Sequence, residues 1–90
     1  MISMANLLIM EPLAIDPHSD VPSYAQLANQ LRDMISSGQI GPRQPLPSIT
    51  RIQQETGLAA NTIRHGIQVL IDEGLAYTVP GRGTFAAPGE

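Results

Sequence analysis

Apolar positions recur at helical spacing from Pro22 onward. Tyr24, Leu27, Ala28, Leu31 and Ile35 fall at i, i+3, i+4, i+7 and i+11, the stripe of an amphipathic helix. That helix opens at Pro22 or Ser23 and stops at Gly38. The connector that follows, Gln39 to Pro47, holds three prolines and reads as a turn-rich link. Ser48 then caps a short second helix that reaches about Thr56, with Ile49 and Ile52 on its buried side and Gly57 ending it. A capping box wants Glu or Gln three residues after the cap, and Arg51 stands there instead. The third helix spans about Ala60 to Asp72, with Ile63, Ile67, Leu70 and Ile71 inward and Asn61, Thr62, Arg64, His65 and Gln68 outward.

Beyond Glu73-Gly74 the period changes from helical to alternating. Leu75 to Val79 reads as a strand, with Leu75, Tyr77 and Val79 on one face, and Thr84 to Ala87 as its returning partner. Pro80-Gly-Arg-Gly83 makes the tight connection and puts Arg82 at its tip. The first 21 residues carry Pro12 and Pro17 after an apolar start, which suits an extended arm or short edge strand. The expected organisation is an arm over 1–21, a folded domain over 22–87 and a tail over 88–90. Tyr24 and Phe85 lie within apolar stripes and are expected in the core.

Two helices joined by a Gly-containing turn, the second polar outside, followed by a hairpin with Arg between glycines, describe a winged helix-turn-helix. The expected fold class is mainly α with a small β-hairpin. In such a fold a helix enters the major groove of DNA while phosphate contacts fix its register. Asn61, Thr62 and Arg64 occupy the first turns of the third helix, with chemistry suited to base edges and phosphates. Gly81 and Gly83 permit close backbone approach, leaving Arg82 free to enter the minor groove. His65 is a polar surface position facing phosphate, His18 decorates the arm, and Arg43 reads as a solvated connector charge.

The residues Leu46-Pro-Ser48, Glu55-Thr-Gly57, Asn61-Thr-Ile-Arg64, Asp72-Glu-Gly-Leu75 and Pro80-Gly-Arg-Gly-Thr-Phe85 resemble the DNA-binding domain of GntR-family bacterial transcription regulators. The resemblance runs in unbroken order over roughly residues 20 to 87. It implies a three-helix winged fold that binds a palindromic operator in double-stranded DNA as a homodimer, usually to repress. By position it implies DNA contacts at Ser48, at Asn61, Thr62 and Arg64, and at Gly81 and Arg82, while Thr50, Arg51 and His65 are further candidate DNA-binding residues beside them. The chain departs from the family pattern in three places. Thr50 followed by Arg51 stands where Arg is usual two residues after the Ser. Ala59-Ala60 replaces Ser-Arg, removing a helix cap worth about 1 kcal/mol. Gly66 replaces a helix former, costing about 0.8–1 kcal/mol unless close packing requires it.

Length and composition narrow the function classes. Ninety residues hold one small domain, so only the DNA-binding part of such a regulator is expected, without an effector pocket. Hydrophobic residues make up 42%, enough to build a core. With no Cys and only two His, neither a disulfide framework nor a metal site is expected, and no cofactor is implied. Ser residues lack a His or acid at recognisable spacing and no Lys-bearing phosphate loop exists, so an enzyme is not expected. No Lys or Arg occurs in the first 31 residues and Glu11-Pro12 interrupts the apolar run, which excludes a signal peptide or membrane span there and points to the cytoplasm. The apolar arm over residues 1–10 is read either as a partner-binding strand, with Leu7, Leu8 and Ile9 paired across a two-fold axis, or as a disordered tail.

The net charge of −3 runs against nucleic-acid binding until it is divided by position. Residues 1–42 hold Arg32 against Glu11, Asp16, Asp20 and Asp33, and residues 43–90 hold four Arg against four acids. Between Arg43 and His65 three Arg oppose only Glu55. The alternative is a winged helix that serves as a protein–protein adapter, because the fold alone does not dictate DNA contact.

Overall fold

The computed structural model describes residues 13–88. Three helices, α1 (Ser23–Ser36), α2 (Ile49–Thr56) and α3 (Ala60–Asp72), precede an antiparallel hairpin of β1 (Ala76–Val79) and β2 (Gly83–Ala86). This is the three-helix winged arrangement that the periodicity predicts. Leu27 and Leu31 of α1, Ile52 of α2, and Ile63 and Leu70 of α3 are completely buried and form the centre of the core. Met34, a position the α1 stripe omits, is also buried, whereas Ile35 is only half-buried.

The ends of α2 show why it is short. Ser48 Oγ accepts the Arg51 backbone N–H at 3.1 Å, satisfying a donor that has no partner in the first turn. At the other end Gly57 takes φ 75°, a left-handed conformation that stops the helix and turns the chain into α3. By contrast α3 starts at Ala59 with no side-chain cap.

Close packing of α1 on α3 depends on Gly66. A Cβ at this position would lie 2.9 Å from the Tyr24 carbonyl oxygen and 3.1 Å from Leu27 Cδ2. The helix former usual at that position has no room here, and the approach brings the Tyr24 ring flat onto His65, with centroids 3.7 Å apart and planes at 9°. Tyr24 is therefore half-buried at the helix surface and not in the core.

The hairpin register pairs Ala76 with Ala86, Tyr77 with Phe85, Thr78 with Thr84 and Val79 with Gly83. The small residues Ala76 and Ala86 take the inward face. Tyr77 and Phe85 accordingly stack on the other face, centroids 6.0 Å apart, and Phe85 is half-buried where a core position was expected. The connector also contributes to the wing. Arg43 N–H donates to Ala86 O, Ala86 N–H to Gln44 O and Leu46 N–H to Thr84 O, with a bridge between Pro45 and Phe85. Pro45 thus sits on an edge segment, where a missing N–H is tolerated.

Residues 13–21 lie against the helices without joining a strand. Leu13 is buried in the core, and its N–H donates to Glu55 Oε1 at 3.0 Å. Gln26 on α1 accepts the Asp16 N–H and donates to the carbonyls of Asp16 and Val21, while Gln30 bonds both N–H and carbonyl of Ala14. The helix begins near the expected boundary at Pro22, but the packing reaches back to Leu13. Leu7, Leu8 and Ile9, and with them both readings of the apolar arm, lie outside the described residues.

Candidate nucleic-acid interface

The start of α2, the outer side of α3 and the inner side of the wing enclose a groove of about 610 Å³. Ser48 and Thr50 form one wall, Arg64, Gln68 and Ile71 the second, and Thr78, Arg82 and Thr84 the third. Among the described residues no acid lines it. Arg64 and Arg82 approach it from opposite sides, so its electrostatic character is positive although the chain is not.

Of the residues singled out from sequence, Ser48, Thr50, Arg64 and Arg82 come together in this groove. Asn61 reaches it indirectly, since its Oδ1 accepts from Arg64 Nη1 at 3.1 Å one turn away. That bond holds the guanidinium along the exposed face of α3. Thr62 is half-buried, and His65 lies under Tyr24 outside the groove lining. Gly81 occupies the exposed wing tip, where φ of 76° is available to Gly without strain.

Arg51 is engaged elsewhere. Its Nε donates to Glu55 Oε2 at 2.9 Å, an i,i+4 pair on α2, and it does not line the groove. The Leu13 N–H and Arg51 together hold the Glu55 carboxyl below the usual glutamate range, the Leu13 bond contributing most. Arg32 is also tied, by two bonds of 2.9 and 2.8 Å to Glu73 across the α1–α3 junction.

Sequence reasoning passed over Gln68, Thr78 and Thr84 as site residues. Thr78 and Thr84 face each other across the hairpin, their hydroxyls 3.5 Å apart, on the groove side. Their signal was the two-residue alternation with Ala76 and Ala86, which puts all four on one face.

The uncapped start of α3 completes the geometry. With Ala at the cap, the first backbone N–H groups have no side-chain acceptor, and the positive end of the helix dipole favours an anion there.

Residues 23–86 match the bacterial regulatory proteins of the gntR family. The chain belongs to the gntR family. The HTH-type transcriptional repressor NagR of Bacillus subtilis (strain 168) is 37% identical over 73 residues, which are 81% of this chain and 30% of NagR. The HTH-type transcriptional repressor YtrA of the same organism is 32% identical over 73 residues, 81% of this chain and 56% of YtrA. This gntR-family chain therefore spans less than a third of NagR and little more than half of that YtrA. Among solved structures, AraR(DBD) in complex with operator ORX1 superposes with a TM-score of 0.76 at 36% identity, covering 82% of this chain and 94% of that one. YtrA from Sulfolobus acidocaldarius, a GntR-family transcription factor, gives a TM-score of 0.79 at 29% identity, covering 89% and 84%. The family and these relatives are transcription regulators, not enzymes. Among the described residues no helix is long and apolar enough to cross a membrane.

Proposed function

We propose that the chain binds double-stranded DNA sequence-specifically as part of a transcriptional repressor, with α3 in the major groove and the wing on the minor groove or backbone. The observation that carries this reading is the groove flanked by Arg64 and Arg82, lined by no acid among the described residues. Arg64, steadied by Asn61, offers a bidentate fork to guanine. Ser48, Thr50 and the uncapped start of α3 supply hydroxyl and N–H donors for phosphates. Thr62, His65 and Gly81 lie at the margins of that contact, and Arg51 reaches it only by leaving Glu55. AraR(DBD), a structural neighbour at 36% identity, is seen with its operator. No observation favours the adapter reading.

One winged domain contacts few base pairs, so a homodimer on a palindromic operator doubles the specific contacts and sets a half-site spacing. Such a protein works in the cytoplasm, where bacterial DNA is.

Selection of bound duplexes from a random pool tests the reading, the expected result being a palindrome with defined spacing. The Arg64→Ala variant loses about 1–3 kcal/mol on the selected sequence and relaxes one position, whereas Arg82→Ala weakens all sequences more evenly. Absence of duplex binding at micromolar protein in low salt would overturn the proposal.

A further inference from the structure

The five arginines of the chain divide by partner. Arg32 is bound to Glu73, Arg51 to Glu55 and Arg64 to Asn61. The side chains of Arg43 and Arg82 make no hydrogen bond or ion pair among the described residues. These two converge on one shallow cleft of about 200 Å³ on the outer face of the wing, floored by Tyr77, Val79 and Phe85, with no acid in its lining among the described residues. Arg82 lines this cleft and the α3 groove alike, so the two surfaces are continuous through its side chain.

Arg43 is also the one non-glycine among the described residues with positive φ, 64°. A side chain in that conformation is strained, and the backbone is held there by the Arg43 N–H bond to Ala86 O and the Ala86 N–H bond to Gln44 O. Gly would occupy the position without strain, so the arginine is present against the local backbone preference. Its guanidinium is exposed and, among the described residues, unpaired beside a second one.

We propose that Arg43 and Arg82 bind two adjacent DNA backbone phosphates on the outer face of the wing, one each, extending the footprint beyond the contacts of α3. The proposal rests on the DNA-binding reading above. Two guanidiniums over a stacked aromatic pair suit a phosphodiester backbone: the forks take the anionic oxygens and the ring faces pack the adjoining sugar.

The test uses Arg43→Gly, which removes the charge and relieves the backbone, so its melting temperature equals or exceeds that of the wild type. The probe is a labelled duplex taken from the random-pool selection. Neutralising one phosphate fewer per copy makes the slope of log K against log salt shallower by about 0.9 per copy, and affinity at low salt falls several-fold. Arg43→Lys retains the wild-type slope. Methylphosphonate substitution at successive flanking phosphates locates the contact, with one position weakening the wild type and leaving Arg43→Gly unaffected. If the wild type binds and Arg43→Gly shows the same slope and affinity, the outer-face site is refuted while the repressor reading stands. If the wild type binds no duplex, both fall. If Arg43→Gly changes the self-association mass and not the salt slope, the cleft faces a second copy of the chain and the phosphate assignment is wrong.

Discussion

At the residue scale, Gly66 shows how packing overrides intrinsic preference. In an exposed helix interior, Gly→Ala gains about 0.8–1 kcal/mol. At position 66 the added methyl meets a backbone carbonyl at 2.9 Å, an atom that yields only if α1 shifts away from α3. Gly66→Ala is therefore expected to destabilise the fold by about 1–3 kcal/mol, the cost range of overpacking, measured as a lower urea midpoint. A stabilised variant would show that α1 moves freely. Ser48 provides the opposite case, in which local chemistry alone decides. Its Oγ satisfies the Arg51 N–H at an exposed site, so Ser48→Ala costs about 1 kcal/mol in the same assay.

At the element scale, two helix starts have been given opposite treatment. The start of α2 is capped by its own Ser48 and that of α3 by nothing. Ala59→Asp supplies the missing acceptor and a negative charge at the positive helix end, so it should stabilise the fold by about 1 kcal/mol. The same carboxylate occupies the place proposed for a phosphate, so duplex binding falls as stability rises. A variant that gains both would separate the start of α3 from the DNA contact.

Glu55 joins residue 13 to α2, and its lowered pKa makes that junction pH-dependent. A carboxyl lowered on folding adds stability that is complete above the ordinary glutamate pKa of 4.5 and is lost as pH falls through the lower, folded value. Acidification below about pH 4.5 should loosen Leu13 from the core, read as a smaller protection of the Leu13 amide relative to its intrinsic exchange rate at each pH, and Glu55→Gln should abolish that dependence. The helices, their ends and the hairpin were legible in the sequence because period, cap and Gly positions agree at each of them. What escaped it depends on contacts between distant segments: the pairing of residues 43–46 with β2, the docking of Leu13, and the inward turn of Ala86 that sends Phe85 outward. In the candidate site, Arg64 and Arg82 were evident from spacing. The Arg51–Glu55 tie was not, since an outward Arg at i and an acid at i+4 read equally well as ligand-facing or self-paired.

At the scale of the whole molecule, an acidic protein is proposed to bind a polyanion, and the distribution of arginine pairing makes that quantitative. Arg32 and Arg51 are neutralised within the fold. If Arg64 reads a base, only Arg43 and Arg82 are left to neutralise phosphates, two per copy. At about −0.9 per phosphate the salt slope is then about −1.8 for one copy and about −3.6 for a homodimer. Because each value belongs to one stoichiometry, a titration over salt concentration at fixed duplex counts the copies bound, and the concentration dependence of the isotherm checks it independently. We expect about −3.6 on a palindromic duplex and about half that on a single half-site. A much steeper slope on both would mean that a further arginine, such as Arg51 drawn from Glu55, has joined the phosphates. So shallow a slope leaves little nonspecific attraction, and discrimination falls to the few contacts made by Arg64 and its neighbours in the groove.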